Sequence, residues 1–139
     1  MNTNEKRMNT NKRIIYPDLS YKIMGVLFKV HNKLGSAYQE KYYQRAIAAE
    51  LRTQNINFIR EKEIVLGYGN EGIGKYRLDF VIENKIALEI KTVPFLKDEF
   101  TRQLLAYLVS ANLKLGIIAN FRTKKLTYKR VINPKVIIQ

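Results

Sequence analysis

Two stretches of the chain show apolar residues at spacings of three and four, which is the pattern of an amphipathic helix. The first runs from residue 19 to residue 34 and ends at Gly35, and the second runs from residue 98 to residue 114. Each stripe marks the side of a helix that we expect to face the core. The apolar residues are Ile23, Leu27, Val30 and Leu34 in the first stretch and Phe100, Leu104, Leu108 and Ala111 in the second.

Another helix is predicted between these two stretches by its start signal. Ser36 and Gln39 have the spacing of a capping box, so this helix is predicted to begin at residue 36 and to run to about residue 54. Glu40 then falls in its first turn, where the positive end of the helix dipole is by itself a sufficient reason for a carboxylate. His31, on the first helix, is expected on the surface without a catalytic role.

The remaining apolar segments are short, as expected of strands. Residues 58–68 alternate loosely and predict a strand, and the glycine-rich residues 69–74 predict a mobile loop. Residues 77–91 form two apolar runs around a polar turn, residues 115–121 form one continuous apolar run, and residues 127–132 can form a last strand. The element order α-α-β-β-β-α-β-β predicts a mixed sheet with helices packed on it.

When the turn is centred on Asn84, the side chains of residues 77–91 separate into an apolar face and a face that carries the charges. Pairing then sets Asp79 opposite Glu89, and a shift of one residue would place charges opposite apolar partners. Because side chains alternate along a strand, one face of this hairpin is wholly apolar and is predicted to be core. That face carries Leu78, Phe80, Ile82, Ile86, Leu88 and Ile90.

The opposite face carries the candidate chemistry, Asp79 with Glu89 and then Arg77 with Lys91. Directly opposed Cβ atoms are about 4.5–5.5 Å apart, so two carboxylates there repel unless they share a proton or bind a cation. Mg²⁺ commonly takes one or two carboxylates together with water and phosphate oxygens, and Lys91 would be near enough to hold a phosphate or a metal-bound water. The alternative that geometry leaves open is an amphipathic hairpin whose charged face meets solvent.

Length and composition indicate one globular domain, predicted at residues 14–139, after a polar and basic arm at residues 1–13 that is expected to be disordered. The 139 residues include no cysteine, which excludes disulfides and thiolate metal sites. No apolar stretch is long enough to cross a bilayer, and no signal-peptide pattern is present. We therefore expect a cytoplasmic protein that has no membrane partner.

The formal net charge of +13 is concentrated at the two ends of the chain. Residues 1–13 hold four basic side chains and one acidic side chain, and residues 114–139 hold seven basic side chains and no acidic one. Such a field favours a polyanionic partner, nucleic acid before an anionic membrane surface. The alternative is a basic surface that serves solubility.

A set of residues spread over the hairpin and the helix after it resembles the PD-(D/E)XK nuclease superfamily. The set consists of Asp79, the triplet Glu89-Ile90-Lys91 ten residues later, and Gln103 with Tyr107. The segment QLLAY at residues 103–107 is similar to the Q-x-x-x-Y element of the RecB-like branch. One position departs from the pattern, since Leu78 stands where the superfamily has a proline.

More specifically, the chain resembles the GxxExxY family of small nuclease-like proteins. Glu40 and Tyr43 match that motif, whereas Ala37 stands at the position of its first glycine. The resemblance extends over most of the chain, from about residue 19 to residue 131, and includes the segments RQLLAYL and LGIIANF.

The resemblance implies an α/β fold of the mixed-sheet (α+β) type, a restriction-endonuclease-like αβββαβ core with an additional N-terminal helix. It also implies that Mg²⁺ (or Mn²⁺) is bound by Asp79, Glu89 and the backbone carbonyl of Ile90. Glu40 would complete the metal's shell or hold a water in it.

The same resemblance implies the catalytic roles of three further residues. Lys91 would orient or deprotonate the attacking water and stabilise charge on the phosphate. Gln103 would steady the metal site or the DNA backbone, with Tyr107 behind it. The alternative for these two is ordinary packing between helix neighbours four residues apart.

The function so implied is metal-dependent hydrolysis of phosphodiester bonds in nucleic acid, with DNA favoured over RNA. The alternatives are a non-catalytic nucleic-acid-binding module with the same fold and a regulatory interaction protein. Since one domain offers no separate recognition module, a homodimer or a partner protein would supply specificity. The basic residues expected to contact nucleic acid are Arg77, Arg122, Lys124, Lys125, Lys129 and Arg130.

Overall fold

The computed structural model describes residues 14–138, which form three helices and five strands in the predicted order. The predicted arm at residues 1–13 lies outside the described residues. None of the helices in the described range is long and apolar enough to cross a membrane. The elements are α1 (Pro17–Leu34), α2 (Glu40–Thr53), β1 (Phe58–Tyr68), β2 (Glu71–Ile82), β3 (Ile86–Lys91), α3 (Asp98–Ala111), β4 (Leu115–Asn120) and β5 (Thr127–Ile132).

The five strands form one mixed sheet in the order β1-β2-β3-β4-β5. Neighbouring strands are antiparallel except for β3 and β4, which are parallel and are joined by the crossover helix α3. A parallel pair needs such a crossover, because its second strand must begin at the same end of the sheet as its first. The carboxyl ends of β3 and β4 therefore lie side by side.

Helices cover both faces of the sheet. One core cluster packs α1 and α2 against the apolar residues of β2, β3 and β4, including Phe80, Ile86 and Ile117. The second cluster packs α3 against the other face through Leu104 and Leu108. Burial on both faces explains why β4 is apolar from Leu115 to Ala119, and all six of its residues are buried.

The junction between α1 and α2 differs from the sequence prediction. The predicted capping box at Ser36 is wrong, because α2 begins at Glu40 and Gln39 occupies the N-cap position without a side-chain cap bond. The buried Tyr43 stabilises the junction instead, through hydrogen bonds of its hydroxyl group. Its hydroxyl donates to the carbonyl of Gly35 (2.6 Å) and accepts from the amide of Tyr38 (3.2 Å).

Three further predictions need correction. Most of the glycine-rich segment 69–74 belongs to β2, so β1 and β2 form a long hairpin rather than flank a loop. α3 ends at Ala111, three residues early, because Asn112 adopts the left-handed conformation that stops the helix. His31 is buried, and its Nε2 lies 3.0 Å from the carbonyl oxygen of Thr123.

The predicted register of the β2–β3 hairpin is confirmed. Phe80 pairs with Leu88, Val81 with Ala87 and Ile82 with Ile86, which centres the turn on Asn84. Five of the six predicted core residues of this hairpin lie in the cluster under α1 and α2. The sixth, Leu78, is buried in the cluster under α3, so the prediction of a single apolar face was wrong at this position.

Candidate active site

Asp79 and Glu89 are held together where the β2–β3 ladder stops. Backbone pairing ends at Phe80 and Leu88, and two hydrogen bonds from amides to carboxylates continue the connection. The amide of Asp79 donates to Oε2 of Glu89 (2.7 Å), and the amide of Ile90 donates to Oδ2 of Asp79 (2.7 Å). Each carboxylate is therefore fixed by the backbone of the opposite strand.

An irregularity in the neighbouring strand β1 lies opposite Asp79. Glu61 has a φ of 51°, a value that non-glycine residues rarely adopt, and it is missing from the β1–β2 ladder between Arg60 and Lys62. Leu78 and Tyr76 beyond it pack against α3. Such local disruptions re-aim strand side chains, which accounts for the changed face of Leu78.

Tyr76, rather than Arg77, takes the place beside the carboxylates. The Tyr76 hydroxyl donates to Oε1 of Glu89 (2.6 Å), and its ring stacks on Tyr107 of α3 with centroids 3.6 Å apart and planes 15° apart. Arg77 is exposed and pairs with Glu61 (3.1 Å). Tyr107 therefore contacts Tyr76, and Tyr76 forms the hydrogen bond to Glu89.

One wall of the site is formed by α3. Gln103, Tyr107 and Phe100 of this helix line a small cavity together with Glu89 and Lys91 of β3. The Nζ of Lys91 lies over the Phe100 ring, 4.5 Å from its centroid. Lys91 forms no ion pair with any residue in the described range, so its ammonium group remains available.

The opposite wall is formed by α2 and β1 and consists of polar side chains. Gln44 donates through Nε2 to Oε2 of Glu40 (3.2 Å), and Arg60 donates to Oε1 of Gln44 (3.3 Å). The guanidinium of Arg60 also lies over the Phe80 ring, 5.4 Å from its centroid. A chain of hydrogen bonds thus links Glu40 at the start of α2 to β1.

The three carboxylates of the site are held in surroundings that oppose their ionisation. Burial raises the pKa of Glu89 to about 7, and the charge of Asp79 adds to the rise. Burial also raises the pKa of Asp79, against the opposing effects of the Ile90 amide, Lys91 and Arg60. Burial and then the charge of Asp79 raise the pKa of Glu40, and Lys91 lowers it. Glu40 is therefore close enough to feel the charges of both residues.

The carboxylate pair fits a hard divalent cation. Among residues 14–138 no group of three His, Cys, Asp or Glu side chains is arranged to hold a metal ion. Two carboxylates would leave the other positions around a cation to water or substrate. This is the usual way in which Mg²⁺ is bound. Oδ1 of Asp79 accepts no hydrogen bond within the described range, whereas Oδ2 is engaged by Ile90. A cation there would offset the cost of burying both carboxylates and the repulsion by Asp79 that adds to the raised pKa of Glu89.

The basic residues predicted to contact nucleic acid are spread over several surfaces. Arg122, Lys124 and Lys125 are exposed between β4 and β5, next to the carboxyl end of β4. Lys129 pairs with Asp98 of α3 (3.4 Å). Arg130 lines an apolar groove between β5 and α1, where burial lowers its pKa. Successive residues of a strand point to opposite faces, so Lys129 and Arg130 do not share one.

Sequence reasoning missed four residues of the site: Arg60, Gln44, Tyr76 and Phe100. Gln44 follows Glu40 by one helical turn, and this spacing is a signal that could have found it. Simple alternation places Tyr76 on the face of Leu78 and Phe80, away from Asp79. The irregularity at Glu61 was therefore needed to bring Tyr76 into the site.

Comparison with known proteins gives a family and a fold. A family model described as PD-(D/E)XK nuclease superfamily matches residues 17–131. A solved structure titled "Crystal structure of SSO0001" matches with a TM-score of 0.55 and 23% identity over 84% of this chain. The alkaline exonuclease LHK-Exo from Laribacter hongkongensis matches with a TM-score of 0.50 and 11% identity over 67% of this chain.

The matched regions are 60% of the first of those two solved chains and 54% of the second. At these levels of identity the likeness concerns the fold, which is restriction-endonuclease-like in its mixed sheet and flanking helices. No curated protein matches the sequence.

Proposed function

This chain belongs to the PD-(D/E)XK nuclease superfamily, and we propose that it is a metal-dependent nuclease that hydrolyses phosphodiester bonds, in DNA rather than RNA. The observation that carries the proposal is the pairing of the half-buried Asp79 with the buried Glu89, which lines one cavity together with Lys91. Such a pair is costly unless something neutralises it, since both pKa values are raised by burial.

Each residue of the site has a separate role in the proposed hydrolysis. Asp79, Glu89 and the Ile90 carbonyl would hold Mg²⁺ (or Mn²⁺), which would supply Lewis-acid activation and neutralise charge at the phosphate. Glu40 would complete the metal's shell or hold a water in it. Lys91 orients the attacking water and stabilises the negative charge that develops on the phosphate oxygens.

Two residues of α3 keep this arrangement in place. Gln103 lines the cavity beside Glu89 and Lys91 and steadies the metal site or the nucleic-acid backbone. Tyr107 holds Tyr76, which donates to Glu89. Both residues belong to the Q-x-x-x-Y element, which supports assignment to the RecB-like branch.

The finer family assignment is supported at the α1–α2 junction. Tyr43 fixes the start of α2, and Glu40 is the first residue of that helix. These are the acidic and aromatic positions of the GxxExxY motif. We propose in addition a cytoplasmic location and a homodimer or partner protein that supplies specificity.

The surface residues predicted to bind nucleic acid would neutralise phosphates around the cleft. Three of them are exposed on the segment next to the carboxyl end of β4, which is paired with the end of β3. The six proposed residues are Arg77, Arg122, Lys124, Lys125, Lys129 and Arg130.

The second candidate is a binding module without catalysis. The basic charge of the chain favours it as much as it favours a nuclease. Binding alone, however, gives no reason to bury two carboxylates that would repel a phosphate. A regulatory interaction protein has the same difficulty.

A nuclease assay on three substrates tests the proposal. Purified protein is incubated with double-stranded DNA, single-stranded DNA or RNA in Mg²⁺ or Mn²⁺. Asp79→Asn and Lys91→Met should each lower cleavage by at least about 100-fold, because the first removes a metal ligand and the second removes the charge that acts on the phosphate. Asp18→Asn and Lys75→Met make the same changes at exposed positions of α1 and β2 and should cleave like the wild type.

Three results separate the candidates. Cleavage that depends on Asp79 and Lys91 supports the nuclease. Intact substrates that nevertheless bind with a steep salt dependence support the binding module. Neither cleavage nor binding supports the regulatory protein.

A further inference from the structure

We propose that Arg60 is a second phosphate-binding residue of the cleft, on the wall opposite Lys91. The inference rests on the proposed function only in taking nucleic acid as the ligand. It assigns to Arg60 a contact with a backbone phosphate of the bound strand, next to the one that Lys91 faces.

The Arg60 side chain is held in place, but one of its hydrogen-bond donors has no acceptor within residues 14–138. Its guanidinium lies over the Phe80 ring, and one terminal nitrogen donates to Gln44. Its Nε is buried and has no hydrogen-bond partner within residues 14–138. A buried N–H of a charged group without an acceptor costs free energy, so Arg60 has donor capacity that residues 14–138 do not use.

The positive charge of Arg60 favours an anion as its ligand. Arg60 and Lys91 both lie close enough to Asp79 to lower its pKa. Arg60 contacts Gln44 of α2, whereas Lys91 contacts Phe100 of α3. The two cations therefore flank the carboxylate pair. Once a divalent cation neutralises that pair, the two basic side chains give the cleft an excess of positive charge.

Geometry favours phosphate over other anions. A guanidinium offers five N–H donors in a planar fork that matches two phosphate oxygens at once, whereas an ammonium acts as a point charge. The Phe80 ring beneath the guanidinium restricts the orientation of the fork. A lysine at this position would keep the charge and lose the fork.

The competing explanation is purely structural. Arg60 could serve only to hold Gln44, which in turn holds Glu40. Gln44→Leu breaks both of these hydrogen bonds and leaves the charge of Arg60 unchanged. This variant therefore separates support of Glu40 from contact with phosphate.

The test measures binding of fluorescent oligonucleotides by anisotropy with the full chain, in EDTA and in Ca²⁺, over a series of salt concentrations. Arg60→Met and Arg60→Lys should each weaken binding by about 10-fold or more, the usual worth of a hydrogen bond between charged groups. Arg60→Met should also reduce the salt dependence by about one phosphate contact. Gln44→Leu should retain most of the affinity.

Arg52→Met is the matched control, because Arg52 also lies over an aromatic ring, Phe58, and is exposed at the other end of α2. It should bind like the wild type, and urea unfolding checks that every variant is folded. The inference is overturned if Arg60→Lys binds as tightly as the wild type, or if Gln44→Leu loses as much affinity as Arg60→Met. Wild-type protein that binds but never cleaves would contradict the nuclease proposal and leave the role of Arg60 standing.

Discussion

Glu89 makes the stability of the metal-free protein fall as the pH rises. Its side chain is 5% exposed, and burial together with the charge of Asp79 raises its pKa from 4.5 to about 7. An acid with a higher pKa in the folded state binds its proton more tightly there. Its contribution to stability is therefore full below the unfolded pKa and is lost as the pH rises through the folded pKa.

The size of the effect follows from the same values. Each tenfold change in proton affinity is worth about 1.4 kcal/mol. Raising the pKa from 4.5 to about 7 thus lowers the free energy of unfolding by about 3 kcal/mol between those two pH values. Asp79 and Glu40 also have raised pKa values and act in the same direction.

Urea unfolding in EDTA at about pH 5 and about pH 8 measures this difference. Glu89→Gln should be nearly as stable as the wild type at the lower pH and more stable at the higher pH. Glutamine fits because its oxygen can accept from the Asp79 amide and its NH₂ can donate to the Tyr76 hydroxyl. Glu71→Gln, an exposed change at the β1–β2 turn, should keep the wild-type dependence.

Two results would refute the reasoning. The first is a wild-type protein that is at least as stable at the higher pH as at the lower one in EDTA. The second is a Glu89→Gln variant that loses as much stability as the wild type. Either result would mean that the carboxylate is well solvated or already compensated in the metal-free protein.

Three further variants test how the site is held. Mg²⁺ at about 100 times its dissociation constant should stabilise the wild type by about 3 kcal/mol at pH 8, and Asp79→Asn should abolish this gain in the same urea assay. Tyr76→Phe removes the hydrogen bond to Glu89 and should weaken Mn²⁺ binding by about 10-fold in calorimetry, the usual effect of a lost outer hydrogen bond. Tyr43→Phe should cost about 1–2 kcal/mol in urea unfolding, because it unties α2 from Gly35; an unchanged midpoint would contradict that role.

The carboxylate pair could be predicted from the sequence because strand periodicity is a local property. Only one register of residues 77–91 keeps charges away from apolar partners, and that register brings Asp79 to Glu89. The positive φ of Glu61 could not be predicted in this way, because nothing in the residue type of Glu61 requires it. It arises from tertiary context, and with it come the displaced Leu78 and the position of Tyr76.

The prediction of the α1–α2 junction failed for a related reason. A Ser-x-x-Gln spacing satisfies the local rule for a capping box, but it does not exclude competitors. The buried Tyr43 hydroxyl, eight residues from Gly35, ties the junction in its place. Glu40 still falls in the first turn of α2, so the feature that matters for the site did not depend on the cap.

The distance between α3 and the sheet connects the packing of the core to the chemistry of the site. Tyr107 contacts Tyr76, and Tyr76 in turn donates to Glu89. A shift of α3 would therefore move Tyr76 and change its hydrogen bond to the carboxylate. The position of α3 depends on Gly116 of β4, where an added Cβ would lie 2.7 Å from Cδ2 of Leu104.

Gly116→Ala must therefore push α3 outward or distort Leu104, at a cost of about 1–3 kcal/mol in unfolding free energy. If α3 moves, Mn²⁺ affinity should fall as it does in Tyr76→Phe, since both variants loosen Glu89. Loss of stability with unchanged Mn²⁺ affinity would show instead that Leu104 absorbs the strain. The tyrosine stack would then be insensitive to the packing beneath it.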